Sequence, residues 1–117
     1  MNPTPKEYEW HLISANPDSL LLGESGILEF TIAGKKICLT KWQEKWKAFQ
    51  ALCPHAGAPL QDGYVDSKGN MVCPLHHYKF SLSNGHNCTG QGYDMRVYPL
   101  ELRADGLFVG FRKDGPK

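Results

Sequence analysis

The stretch Cys53-Pro-His55-Ala-Gly-Ala-Pro-Leu-Gln-Asp-Gly63, followed after Val72 by Cys73-Pro-Leu-His76-His77-Tyr-Lys-Phe80, governs the reading of the whole chain. It holds two short arms, each offering one thiol and one imidazole. One residue lies between Cys53 and His55, two lie between Cys73 and His76, and seventeen separate His55 from Cys73. Sulfur ligands suit a softer metal ion and imidazole a borderline one, so paired donors of both kinds suit two metal ions of different character. Pro54 and Pro74 each follow a cysteine. Their fixed φ and missing N–H keep both arms out of regular structure. Gly57 and Gly63 permit tight or positive-φ conformations. The arms are expected to be turn-like loops that meet at their tips, with backbone N–H groups facing inward.

The pattern resembles the binding motif of Rieske [2Fe–2S] proteins. The resemblance runs on through Cys73-Pro-Leu-His-x-x-x-Phe-Ser-Leu-x-x-Gly85 and covers most of the chain loosely. It implies one [2Fe–2S] cluster per chain, with Cys53 and Cys73 on one iron and His55 and His76 on the other. It also implies an all-β fold, an antiparallel sandwich or barrel carrying a small inserted cluster-binding subdomain over about residues 53–82 of a single domain, 1–117. Read on residue types alone, two Cys and two His can also hold a structural zinc ion. Zinc sites usually place two to four residues between paired cysteines and three to five between paired histidines, and Cys-x-His is a tight bite for one tetrahedral ion. A Cys53–Cys73 disulfide with bystander histidines is the weaker alternative.

Two departures from the family bear on the chemistry. Respiratory and photosynthetic Rieske proteins carry a further Cys in each arm, joined as a brace. The matching positions here are Ala58, or its neighbours, and Leu75. They also place a Ser two residues after the second His, as a donor to a cluster sulfur, where this chain has Tyr78. Fewer donors stabilise the reduced cluster less, so the resemblance implies a potential in the lower part of the Rieske range, roughly −150 to +300 mV. His77 stands where many relatives have Gly. It reads as a solvent-facing loop residue, with partner docking or tuning as the alternative.

Composition narrows the rest. The 117 residues suggest one domain of ordinary size, and 41% hydrophobic residues allow a modest core. A formal net charge of +1, with no basic run interleaved with aromatics, argues against nucleic acid as partner. No apolar window approaches the length needed to span a bilayer, and Met1 to Glu7 lacks the pattern of a secretory leader. The expectation is a soluble, cytoplasmic protein with no membrane partner, monomeric or weakly oligomeric. Of the remaining cysteines, Cys38 lies in a strand-like run and reads as a small core residue. Cys88 lies in the Gly-rich stretch 84–92 and reads as a loop thiol. A reducing compartment argues against a bridge between them.

The chain in order reads as short strands and turns. Residues 1–7 carry two prolines and read as a tail. Tyr8 to Ile13 alternates as a first strand, and a short helical turn is expected between Asp18 and Leu22, broken by Gly23 to Gly26. Ile27 to Ile32 and Lys36 to Trp42 flank Ala33-Gly-Lys as a hairpin, and Trp46 to Leu52 returns to deliver Cys53. Asp66 to Asn70 is turn chemistry, Met71-Val72 a brief strand, and Tyr78 to Leu82 a strand leaving the second arm. Arg96 to Arg103 and Leu107 to Arg112 flank Ala104-Asp-Gly106, a hairpin signal. His11 reads as structural, His86 as a surface loop residue, and Trp10, Trp42 and Trp46 as packing residues. Short strands without helical periodicity point to an all-β sandwich or barrel.

The function this implies is one-electron transfer by a ferredoxin that carries electrons between a reductase and a terminal oxidase or oxygenase and catalyses nothing alone. The second reading is a small subunit of an enzyme such as nitrite reductase. A catalytic oxygenase chain is disfavoured, because a mononuclear iron held by two His and a carboxylate needs ligands beyond Phe80, where His86 alone remains.

Overall fold

The computed structural model describes residues 8–20, 22, 25–54 and 57–112. Ten strands follow in order: β1 Tyr8–Ser14, β2 Ile27–Ile32, β3 Lys35–Trp42, β4 Lys45–Gln50, β5 Tyr64–Val65, β6 Asn70–Val72, β7 Lys79–Ser81, β8 Val97–Tyr98, β9 Leu100–Arg103 and β10 Gly106–Arg112. Single 3-10 turns at Pro17–Ser19 and Leu60–Asp62 are the helical elements among the described residues. The strands pair antiparallel into three sheets, in the orders β1-β10-β9, β2-β3-β4-β8 and β5-β6-β7. The all-β expectation holds.

The layering follows from the two-residue period of β3 and β4. Successive side chains of a strand face opposite sides. Ile37 and Leu39 of β3 and Ala48 of β4 pack with Leu107, Val109 and Phe111 of β10. Cys38 of β3 and Phe49 of β4 pack the other way, with Met71 of β6 and Phe80 of β7. The four-stranded sheet is thus the middle layer, with a core on each face. Phe49 and Phe80 are both fully buried, each contributing about 1.5–3 kcal/mol by leaving water. The second of these cores ties the arm-bearing sheet β5-β6-β7 to the body of the fold.

Turn chemistry closes the hairpins. Ala33 and Gly34 between β2 and β3 have φ of 52° and 78°, and Gln43 and Glu44 between β3 and β4 have φ of 50° and 68°. Both are two-residue loops with positive φ at each position, the turn geometry that matches the right-handed twist of the flanking strands. The Gln43-Glu44 turn does this without glycine, which costs backbone energy that the register of β3 against β4 holds in place.

Two expectations are corrected. The strand expected over 96–103 is divided at Pro99: β8 pairs with β4 in the middle sheet, whereas β9 pairs with β10 in the outer one. Proline has no N–H to continue a ladder, so the chain changes sheet there, and the Pro99 carbonyl accepts instead from the Gly110 N–H at 2.9 Å. The strand expected to run to Leu52 ends at Gln50, because Leu52 makes an isolated bridge with Pro59 that closes the first arm. Strand β5 and the turn at Leu60–Asp62 carry no signal strong enough to read beforehand, being two and three residues long. The helical turn sits at Pro17–Ser19, slightly earlier than expected, with Pro at its first position. The tail over 1–7, Gly23 and His55 lie outside the described residues.

Candidate metal centre

Each arm grows from a pair of chain segments held together at its base. The first begins at Cys53, where the Leu52–Pro59 bridge and a bond from the Leu60 N–H to the Ala51 carbonyl, 2.9 Å, close the loop. The second begins at Cys73, where β6 and β7 pair through Val72 and Lys79.

Within the arms the hydrogen bonding is the same. The Cys53 N–H donates to the Ala58 carbonyl at 2.8 Å, and the Gly57 N–H donates back to the Cys53 carbonyl at 2.8 Å. The Cys73 N–H donates to the Tyr78 carbonyl at 2.9 Å, and the His77 N–H donates back to the Cys73 carbonyl at 3.0 Å. Both loops turn through a left-handed residue at the fifth position, Gly57 with φ 73° and His77 with φ 62°. The described residues of the two arms therefore share one hydrogen-bonding pattern, each arm opening at its cysteine.

Burial separates the donor types. Cys53 and Cys73 are 3% and 0% exposed and belong to one apolar cluster with Leu60, Met71, Phe80, Leu82 and Met95. Both are free of disulfide bonds, which removes the bridged alternative. His76 is exposed near the tip of its arm, and its ring lies 5.5 Å from that of Tyr78 at an interplanar angle of 37°. Thiols thus point to the interior and an imidazole stands at the surface. Among the described residues no three His, Cys, Asp or Glu side chains gather as one metal-holding group; His55 is outside them. Exposed apolar side chains, Leu52 at 47% and Leu75 at 54%, flank the two cysteines along the chain.

The other singled-out residues lie elsewhere. Cys38 is buried in the middle sheet, and its thiol is pushed up to about 12 by burial and, secondarily, by Glu29. Cys88 is an exposed loop thiol, and neither forms a disulfide. His77 is exposed, as expected of a loop residue. His86 is exposed with Nδ1 3.6 Å from Asp94 Oδ1, and His11 packs its ring against Phe111 at 5.3 Å. The turn expected over Asp66 to Asn70 is set by Asp66 itself: its Oδ1 accepts from the N–H groups of Lys68 (2.9 Å) and Asn70 (3.0 Å) between β5 and β6, behind the second arm.

Comparison with known proteins identifies the domain. Residues 10–98 match the Rieske [2Fe-2S] domain. The ferredoxin component of the alkene monooxygenase system of Xanthobacter autotrophicus is 24% identical over 93 residues, 80% of this chain and 75% of that protein. The ferredoxin component of the naphthalene 1,2-dioxygenase system of Pseudomonas putida is 29% identical over 80 residues, 68% of this chain and 76% of that protein. The structure of the carbazole 1,9a-dioxygenase ferredoxin from Nocardioides aromaticivorans superposes with a TM-score of 0.71 at 19% identity, covering 89% of this chain and 98% of that one.

The chain belongs to the Rieske [2Fe–2S] domain family. Its cofactor is a [2Fe–2S] cluster, and it is an electron carrier of the ferredoxin type, not a catalyst in its own right. The donor chemistry fits the cofactor: two unbridged thiols share one water-poor cluster, matched loops hold them, and imidazole stands outside. No helix among the described residues is long and apolar enough to cross a membrane.

Proposed function

We propose that this Rieske ferredoxin passes one electron at a time from a reductase to a terminal oxygenase, with Cys53 and Cys73 on one iron and His55 and His76 on the other. A [2Fe–2S] centre with two His in place of two Cys supplies a one-electron couple at higher potential than an all-Cys centre. The observation that carries the ligand set is the pair of matched arms, each opening at a buried cysteine. The partner class rests on the alkene monooxygenase and naphthalene dioxygenase ferredoxins, which are components of oxygenase systems.

In this reading the chain's own residues do three things. Burial of Cys53 and Cys73 keeps water from the sulfur side. The paired backbone bonds fix the arms, so the donors need little rearrangement on a change of charge. Exposure of His76, beside apolar Leu75, leaves an edge against which a partner can dock briefly. Residues 1–117 act as one domain, with residues of about 53–82 as its cluster-binding part, in the cytoplasm, without nucleic acid or membrane as partner.

The test is spectroscopic. The purified protein should be red-brown, bleach with dithionite, and give a reduced electron paramagnetic resonance signal of low mean g-value, as mixed His/Cys ligation requires. A colourless protein containing zinc would overturn the electron-transfer reading. A stable complex with a sirohaem or flavin enzyme would move the assignment to the small subunit of a nitrite-reductase-like assembly.

A further inference from the structure

A cavity of about 230 Å³ opens between the β3–β4 hairpin and the sheet β5-β6-β7, lined among others by Lys45, Lys47, Lys68, Ser81, Ser83 and Trp42. It is not the metal centre. Gly69, also in its wall, precedes β6, whereas Cys73 follows that strand four residues later, about 13 Å away along extended chain. We propose that this cavity is a binding site for a phosphate-type oxyanion.

The charge distribution points there first. The chain as a whole is nearly neutral at +1, yet residues 35–47 hold five lysines against one glutamate. Three lysines line the cavity, and no Asp or Glu does. Among the described residues the lysine ion pairs are Lys36 with Glu29 and Lys79 with Asp66. Lys45, Lys47 and Lys68 have no carboxylate partner there. Like charges around one small space repel, and a bound dianion relieves that repulsion.

The hydrogen-bonding chemistry points to the same class. An ammonium group is a donor with no acceptor, and a hydroxyl has one proton to give. The Ser81 Oγ already accepts from the Ser83 N–H at 3.2 Å, which leaves its proton free to donate. The site is therefore rich in donors, and a phosphoryl group with several charged oxygens can use more of them than a carboxylate with two. Its size sets the upper limit. Pockets for drug-sized ligands run from about 300 to 1,000 Å³, so about 230 Å³ suits an ion or a phosphate monoester with a short stem.

The test titrates the cluster-loaded protein with inorganic phosphate and, separately, glycerol phosphate, at constant ionic strength held with chloride. Calorimetry gives the affinity, and the indole N–H of Trp42 and the amide of Gly69 report the place by nuclear magnetic resonance. Saturable binding with shifts at those two groups is expected. The triple variant Lys45→Gln, Lys47→Gln, Lys68→Gln should bind about tenfold more weakly, as loss of three modest charge contacts implies, with its visible spectrum unchanged. Should that variant not fold, Lys68→Glu alone, on an exposed turn, should weaken binding at least about threefold. Tighter binding of glycerol phosphate identifies a phosphate monoester as the ligand; equal affinities identify the free anion. No saturable binding of either compound, or full affinity in the lysine variants, overturns the proposal.

Discussion

Gly57 and His77 occupy the same position in the two arms: each N–H donates to the carbonyl of its own arm's cysteine, at 2.8 and 3.0 Å, from a left-handed backbone with φ of 73° and 62°. One arm fills that position with the residue suited to it and the other with a residue that is not. A left-handed conformation costs an L-residue roughly 1–2 kcal/mol, while glycine loses about 0.5–1 kcal/mol more backbone entropy on folding. The strain term exceeds the entropy term by a fraction of a kcal/mol to one. His77→Gly should therefore raise the thermal midpoint by about 2–4 °C, and Gly57→Ala should lower it by a similar amount. A scanning calorimeter at one fixed scan rate decides this. A destabilised His77→Gly protein would mean that the imidazole makes a contact worth more than the strain.

Gly63 offers the opposite case. Its φ is −88°, outside the left-handed region, but an added Cβ would lie 2.1 Å from the Val72 carbonyl oxygen. At Gly57 the dihedral would strain any residue but glycine, and nothing lies within 4 Å of such a Cβ. A clash with backbone has no flexible side chain to absorb it. Gly63→Ala should cost about 3 kcal/mol or more and Gly57→Ala about 1 kcal/mol. Equal losses of midpoint would show that the 3-10 turn at Leu60–Asp62 shifts freely away from β6.

The cysteines divide into two functional classes by position. Cys53 and Cys73 open the two arms, whereas Cys38 is inside the middle sheet and Cys88 is on an exposed loop. Cys73→Ser should abolish visible absorption and bound iron. Cys88→Ser should keep both, with two iron atoms per chain as the ligand assignment requires. Iron and acid-labile sulfide assays on the two variants provide the check. Loss of iron from the Cys88 variant would break the assignment of ligands.

The arms were legible in the sequence because metal chemistry demands fixed residue types at short spacing, and Cys-Pro-His and Cys-Pro-Leu-His survive as strings. The β2–β3 and β9–β10 hairpins were legible for a similar reason, since Ala33-Gly34 and Asp105-Gly106 mark left-handed or open turns between alternating runs. The change of sheet at Pro99 was not. A run from Arg96 to Arg103 has strand-like residues on both sides of the proline, and only the partners, β4 for one half and β10 for the other, show that it serves two sheets. The matching of Gly57 to His77 was hidden because the residues differ and the likeness lies in backbone hydrogen bonds. The lysine cavity joins residues 45, 47 and 68, which no local pattern connects.

Tyr78 bears on potential. Its ring packs 5.5 Å from that of His76, at the position where the resemblance to braced Rieske proteins implies a serine. A hydrogen bond that forms to the reduced state alone is worth about 0.5–1.5 kcal/mol, and 1.4 kcal/mol corresponds to about 59 mV for one electron. Tyr78→Ser should raise the potential by roughly 20–60 mV. A spectroelectrochemical titration of both proteins measures it. An unchanged or lowered potential would show that the aromatic contact with His76 matters more than a hydroxyl donor.

Cys38 makes stability fall in alkali. Its thiol sits at 0% exposure, and burial, aided by the nearby Glu29 charge, raises its pKa from 9.0 to about 12. Between those values the unfolded chain has lost the proton while the folded chain keeps it. The folded state then binds more protons, so stability declines as pH rises. The contribution is whole below pH 9 and is lost progressively toward pH 12. The slope in that window reaches at most about 1.4 kcal/mol per pH unit. Cys38→Ala removes the titrating group at the cost of a small cavity. The variant should be less stable at pH 7 yet lose stability less steeply above pH 9 than the parent. Denaturant unfolding of both proteins at several pH values gives the two slopes. Parallel slopes would mean that the core around Cys38 admits water and lets the thiol ionise in place.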